Sequence, residues 1–300
     1  MQQNQEDDED CIEAVCKERG RPLVREGDGT GKHVQFSNPN GCVEFGKVRV
    51  VRLDAGEARG PVFARGHQPE TVHDEDFCMQ IDAHSIFIKG WDNRMLGEWG
   101  STENEFAVLS TYPTNYISLH KNVNNHWEMP HLCGAEMTGA NIRNHQAGAV
   151  ANLDRPALAP VWAAGLSFSR CHSERWVAND INLKQVFSGE EFSRGARLWT
   201  HGYDFYSITR PILGVYYGAE KGGKGSWTHD TAETKASRNW FHRESAREHG
   251  WGAPTPSGWG GLGAAACYLL FMLTRALLMT SSHSEGVCGA DQDVAEDTGE

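Results

Sequence analysis

The chain has 300 residues, 39% of them hydrophobic, with ten Trp and twelve Phe; it can build a real core and is not compositionally disordered. That length suits one large α/β domain or two modest ones. The formal net charge of −12, carried mainly by residues 5–13 and 285–300, comes without any run of Lys or Arg. This excludes the basic surface that sequence-independent nucleic-acid binding requires.

Residues 1–46 are polar and Gly-rich, and Gly27-Asp28-Gly29-Thr30-Gly31-Lys32 reads as a surface loop, because its Gly spacing is not that of a phosphate-binding loop. Residues 47–53 predict a strand. A helix is expected over 58–69, with Gly60-Pro61 at its start, where Pro is tolerated. Residues 77–82 alternate, Phe77, Met79 and Ile81 facing one way and Cys78, Gln80 and Asp82 the other. Residues 106–110 form an unbroken apolar run ended by Tyr112-Pro113, which suits a strand covered on both faces. Residues 114–158, rich in His, Asn and Pro, read as loops. Another strand is expected over 161–168 and a short helix over 190–197. Strands interleaved with helices predict an α/β sheet domain, and no internal repeat is present. Residues 261–279 are apolar on all sides; a spanning helix needs about 20 such residues, and Arg275 interrupts this run near its end, which favours a packed terminal helix over a membrane anchor.

Eight cysteines are scattered without CxxC spacing: Cys11, Cys16, Cys42, Cys78, Cys133, Cys171, Cys267 and Cys288. A chain of this size does not need disulfide staples, so buried free thiols are expected. With no signal peptide ahead of the acidic start, a reducing, cytoplasmic setting is the expectation.

Four segments carry chemistry. Gln80-Ile81-Asp82-Ala83-His84 closes the first well-patterned strand. If the extended conformation continues, Asp82 and His84 share one side, at the edge where open α/β sheets bind ligands. A carboxylate and an imidazole so placed can coordinate one divalent metal; a surface loop with two polar residues is the plainer alternative. Ser188-Gly189-Glu190-Glu191-Phe192-Ser193-Arg194 also reads two ways. Ser188 with Glu191 fits a capping box and Glu190 with Arg194 an i, i+4 pair; alternatively one carboxylate points from the helix start into a ligand pocket. Ala163-Ala164-Gly165 permits close approach of a ligand or another backbone, or is simple core packing. The aromatic-rich residues 197–206 suit a sugar-lined pocket or a loop anchored by aromatics.

Taken together, these segments match a family in order and content. From about residue 2 to 217 the chain resembles the cytoplasmic polypeptide α-N-acetylglucosaminyltransferases, which act on a hydroxyproline of a ubiquitin-ligase adaptor protein in protists. The match runs through Ala58-Arg-Gly-Pro-Val-Phe-Ala-Arg65, Met79-Gln-Ile-Asp-Ala-His84, Gly90-Trp-Asp92, Val108-Leu-Ser-Thr-Tyr-Pro113, Trp162-Ala-Ala-Gly-Leu-Ser-Phe-Ser169, and Phe187-Ser-Gly-Glu-Glu191 through Tyr206. More distantly, the chain is similar to the mucin-type polypeptide GalNAc-transferases.

The resemblance implies a GT-A-like fold, an open and mostly parallel sheet flanked by helices, with residues 1–227 as the catalytic domain and 228–300 as an unassigned tail. It implies UDP-GlcNAc as donor, a protein acceptor, and transfer with retention. Asp82 and His84 would be ligands of Mn2+, with Mg2+ as the alternative. Glu190 and Glu191 would contact sugar or acceptor, and Arg65, Asp82, Gly165, Trp199 and His201 would bind the donor. Two departures accompany it. Members open with a strand ending in a Ser-Tyr-Arg-Asp type segment that helps bind the nucleotide, and no such string occurs here, so that first strand is expected to be missing. They also carry a third metal-binding His in a short strand before an aromatic, and residues 212–217 hold none. An active transferase and a non-catalytic homologue that binds a sugar or a protein are therefore the two readings, with a metal hydrolase a distant third.

Overall fold

The computed structural model describes residues 10–216 apart from 27–34, 52, 54–56, 83, 121–126, 139–140 and 146. The Gly27–Lys32 loop, the apolar run 261–279 and the tail 228–300 lie outside the described residues. Among the described residues, no helix is long and apolar enough to cross a membrane.

The N-terminal stretch, polar and Gly-rich in sequence, builds a small unit of its own. Helix α1 (Cys11–Glu18) starts on Asp10, whose carboxylate accepts from the backbone N–H of Ile12 and Glu13 at 2.9 and 3.2 Å, a side-chain cap of the usual kind. Strands β1 (Val24–Glu26) and β2 (Gln35–Ser37) pair antiparallel. Ile12, Cys16, Leu23 and Cys42 form the buried cluster, with Phe36 and Phe45 against it. A disulfide between Cys16 and Cys42 closes it. A second joins Cys78 to Cys171 and Cys133 is disulfide-bonded as well, so five of the cysteines expected as free thiols are in disulfides, while Cys11 is free. Such bonds let a core this small persist. The strand expected over 47–53 does not form among the residues described there: Val48, Val50 and Leu53 stand exposed with no neighbouring strand to pair with.

Helix α2 (Pro61–Gly66) lies within the expected segment. Beyond it come β3 (Phe77–Ile81), β4 (Ser85–Phe87), α3 (Trp91–Gly100), β5 (Ala107–Ser110), β6 (Thr114–Asn115), β7 (Glu128–His131), β8 (Ala135–Thr138), β9 (Asn141–Asn144), β10 (Gly148–Ala151), β11 (Ala157–Ala159), β12 (Leu166–Arg170), α4 (His172–Trp176), α5 (Glu190–Thr200), β13 (Asp204–Ser207) and β14 (Leu213–Val215). The main sheet runs β11-β13-β5-β12-β3. The α/β architecture is as expected, but this sheet is mixed rather than mostly parallel: β13 with β5 is parallel, and the other three pairings are antiparallel. A smaller sheet runs β4-β14-β6. Residues 114–158 hold two antiparallel pairs, β7 with β10 and β8 with β9.

β5 shows why the apolar run 106–110 is unbroken. Leu109 packs into a cluster with Met95 of α3, Leu166, Phe168 and Ile212, while Val108 packs on the other face with Trp162, Leu198 of α5, Tyr203 and Phe205. Both faces of the sheet are thus covered.

Two buried polar groups stand out. His131 on β7 is 1% exposed. Its Nδ1 lies 2.9 Å from the Ser207 hydroxyl, its Nε2 has no partner, and burial pushes its pKa down to about 4. A folded-state value below the ordinary 6.5 favours folding at pH above 6.5, and that contribution is lost as pH falls toward 4. The difference is worth roughly 3 kcal/mol. The urea midpoint of the wild-type protein should therefore fall more between pH 7 and pH 4.5 than that of His131→Gln; parallel falls would refute this. The other group, the buried pair of Arg194 and Glu174, ties α5 to α4 at 2.8 Å.

Candidate active site

The carboxyl ends of β3 and β5 and the amino end of β12 meet at one edge of the main sheet, because Leu166 pairs with Ile81 and Ser167 with Ser110. Here the chain from 162 to 165 leaves the ladder. The expected strand begins only at Leu166, and side chains hold the backbone ahead of it. Asn144 Nδ2 donates to Trp162 O at 2.7 Å. The Ser110 hydroxyl accepts from Ala163 N at 2.8 Å and donates to Ala163 O at 3.1 Å. Gln80 Nε2 donates to Ala164 O at 3.0 Å. The Ala164 N–H goes to Glu191 Oε1 at 2.9 Å. Buried backbone groups outside a ladder need such partners, and supplying them from several elements fixes this segment in place.

Gly165 has no room for a side chain. A Cβ there would lie 2.6 Å from Pro113 Cδ and 3.4 Å from Asp82 Oδ2. The small residue therefore serves close approach to Pro113, with Asp82 at contact distance beside it.

Helix α5 brings the two glutamates. Its N-cap is Gly189 at φ +98°, a left-handed conformation that glycine adopts without strain, and no side chain caps it. The capping box of Ser188 with Glu191 does not form, nor does the pair of Glu190 with Arg194. Glu191 Oε2 instead accepts from the Tyr112 hydroxyl at 2.7 Å and from Asn144 Nδ2 at 3.1 Å. Burial pushes its pKa above the usual carboxylate value, while the Ala164 and Tyr112 donors and the charge of Arg65 pull against it. Glu190, 3% exposed, pairs with Arg65 Nη1. Arg65 Nη2 also lies 3.6 Å from Asp82 Oδ1. Arg65, Asp82, Gly165, Glu190 and Glu191 are thus one constellation, with three carboxylates around one guanidinium.

The other expected residues stand elsewhere. β3 ends at Ile81, and His84 lies exposed on a turn, so the extended run that would have set it beside Asp82 does not continue. Its carbonyl accepts from Tyr216 N at 3.4 Å. Among the described residues no group of three or more His, Cys, Asp or Glu is placed to hold a metal. The strand that would carry a third His cannot do so at Gly214, where a Cβ would stand 2.9 Å from Tyr116 Cα. Trp199 and His201 sit at the far end of α5, about 15 Å along the axis from Glu190 at 1.5 Å per residue. Trp199 packs against the cluster of Trp162 and Leu198, and His201 Nδ1 bonds the carbonyl of Arg197 at 2.7 Å. Sequence reading missed Tyr112 and Asn144: the first was read as a strand end, the second as loop.

Three carboxylates and one arginine thus meet at the strand ends of an α/β sheet, the edge at which open sheets bind ligands. The profile of the family described as Glycosyltransferase (GlcNAc) matches residues 2–247. That is most of the chain, and the protein belongs to this family. Among solved structures the chain is similar to the crystal structure of GalNAc-T7 with UDP, GalNAc and Mn2+, at 12% identity and a TM-score of 0.41. The match covers 75% of this chain and 45% of that one, so the chain spans less than half of the neighbour. No curated protein matches the sequence.

Proposed function

We propose that the protein is a metal-assisted, retaining glycosyltransferase of GT-A type that moves N-acetylglucosamine from UDP-GlcNAc to a protein hydroxyl, that of hydroxyproline or of Ser or Thr. The observation that supports this best is the meeting of Asp82, Arg65, Glu190 and Glu191 at one sheet edge against the cradle of Gly165.

Asp82, a third exposed, offers carboxylate oxygens of the kind that suit Mn2+ or Mg2+, while His84 stands exposed on a turn past the end of β3 and not on a shared strand face with it. When bound, the cation neutralises charge on the departing diphosphate. The chain's own groups do the rest. Glu190, buried at the start of α5, is held by Arg65. Glu191 is spent on Ala164, Tyr112 and Asn144, and so fixes the segment ahead of β12. Catalysis in such a site rests on orientation of acceptor against donor.

Calorimetric titration with Mn2+, with and without UDP, tests the reading. Weak binding that UDP strengthens and that Asp82→Ala with His84→Ala abolishes is the expected result. Binding that UDP leaves unchanged, or that survives the double substitution, would overturn it. Radiolabelled transfer from UDP-GlcNAc to a hydroxyproline peptide then separates an active enzyme from a homologue that only binds.

A further inference from the structure

A cavity of about 420 Å3 lies between α3, the segment ahead of β11 and the turn joining β13 to β14, a size within the range of small-ligand sites. None of the residues around Asp82 lines it. α3 gives it a stripe of Arg94, Gly97 and Glu98, which their i, i+3, i+4 spacing sets on one face. Asp154 stands ahead of β11, and Thr209 and Arg210 come from the turn after β13. Gly97 leaves part of this space open. A Cβ there would meet nothing within 4 Å, and its φ is not left-handed. Neither packing nor backbone conformation therefore asks for glycine in the middle of this helix, where it is a poor helix former.

The charged groups around the cavity are unequally engaged. Glu98 is committed: its Oε2 accepts from Thr209 N at 2.9 Å and its Oε1 from the Thr209 hydroxyl. Arg94, Arg210 and Asp154 are exposed. Among the described residues no hydrogen bond or ion pair engages any of these three side chains. A chain with a formal charge of −12 has carboxylates to spare, yet neither arginine is paired with one. Two sets of donors and one set of acceptors thus line a common space without touching one another.

We propose that this cavity binds a polypeptide segment through an acidic side chain, the carboxylate going to Arg94 and Arg210 and a backbone N–H beside it to Asp154. Guanidinium groups present paired donors that match the two oxygens of a carboxylate. Charge balance selects a carboxylate over a phosphate. The two arginines are already offset by Glu98 and Asp154, so a monoanion adds half the excess negative charge of a dianion. The choice of a peptide over a free carboxylic acid rests on the protein acceptor proposed above; the anion site itself rests on the side chains that line it.

The experiment is fluorescence anisotropy of the full chain with a labelled hydroxyproline peptide carrying glutamates on both sides, beside the same peptide with glutamines. The glutamate peptide should bind about tenfold more tightly than the glutamine one, and Arg94→Gln with Arg210→Gln should remove that advantage. Gly97→Leu should block the glutamate peptide by filling the cavity. Its far-UV helix signal should be at least that of wild type, since a good helix former replaces glycine. Equal binding of the two peptides, or glutamate-peptide binding that both variants leave unchanged, overturns the proposal. N-acetylglutamate that displaces the peptide at equal concentration would overturn the choice of a peptide, and a phosphoserine peptide that binds more tightly than the glutamate one would overturn the choice of a carboxylate. Mn2+ titration with UDP on the same variants should match wild type, because none of these substitutions falls among the residues around Asp82. Absence of that Mn2+ binding in wild type would overturn the transferase reading and leave the peptide result standing.

Discussion

Arg194→Met alone should destabilise the fold by about 3–5 kcal/mol, the usual cost of stranding one partner of a buried ion pair. Arg194 is 2% exposed in the middle of α5 and meets Glu174 of α4 at 2.8 Å. The pair is poorly supported beyond that one bond. Arg194 Nε and Nη1 and Glu174 Oε2 are buried without hydrogen-bond partners. Burial already pulls the arginine's pKa below its usual value, against the pull of Glu174. With the cation gone, the carboxylate must ionise in an apolar setting or take up a proton. Replacing both residues, Arg194→Met with Glu174→Leu, should recover most of the loss, since a packed apolar pair often matches a buried ionic one. Urea denaturation of the three proteins at pH 7 checks this. A double variant no more stable than the single would mean that the pair matters for something other than charge.

The second large effect concerns Gly165. One added methyl, as in Gly165→Ala, meets Pro113 Cδ at 2.6 Å and Asp82 Oδ2 at 3.4 Å. Proline and a strand-end backbone yield little, so the segment 163–165 or Asp82 must shift. Overpacking of this kind costs typically about 1–3 kcal/mol, and displacing a site group by about 1 Å can cost on the order of 10²-fold in rate. Transfer by Gly165→Ala should therefore drop by about that factor, with a folded far-UV spectrum retained. Gly195→Ala is the control: it too packs closely, its Cβ 3.3 Å from that of Trp162, but it lies more than a turn along α5 from Glu191. Equal loss of rate in both would place the effect in global packing rather than at Asp82.

These sites also mark what could be read from sequence. Alternation located β3, and the unbroken apolar run located β5, because each pattern is a direct record of which faces are covered. The Asp82, Gly165 and Gly-Glu segments could be named, yet their partners could not. Nothing local says that Glu191 reaches Ala164, Tyr112 and Asn144 rather than capping its own helix, or that Arg194 turns to Glu174 rather than to Glu190. Those choices depend on which elements pack together, and local rules for helix ends then yield to tertiary contacts. The strand expected at 47–53 failed for the converse reason: its β-branched residues favour extension, but a strand needs a partner. Trp199 and His201 were named by the resemblance alone, and α5, eleven residues long, sets them at the opposite end from Glu190. The pairs in 114–158 were hidden by Asn, His and Pro content.

The pairing of Cys78 with Cys171 has a consequence for where this protein can be made. It joins positions 93 residues apart, and in the chain-entropy picture a tether of that span removes about 4–5 kcal/mol of freedom from the unfolded chain. A glutathione-buffered compartment withdraws that contribution, and an oxidising one supplies it. The bond also has a position as well as a size. It links β3 to the residue just past β12, the two strands whose opposite ends present Asp82 and Gly165. The thiol chemistry of the surroundings thus reaches, through two strands of backbone, the sheet edge that carries Asp82 and Gly165.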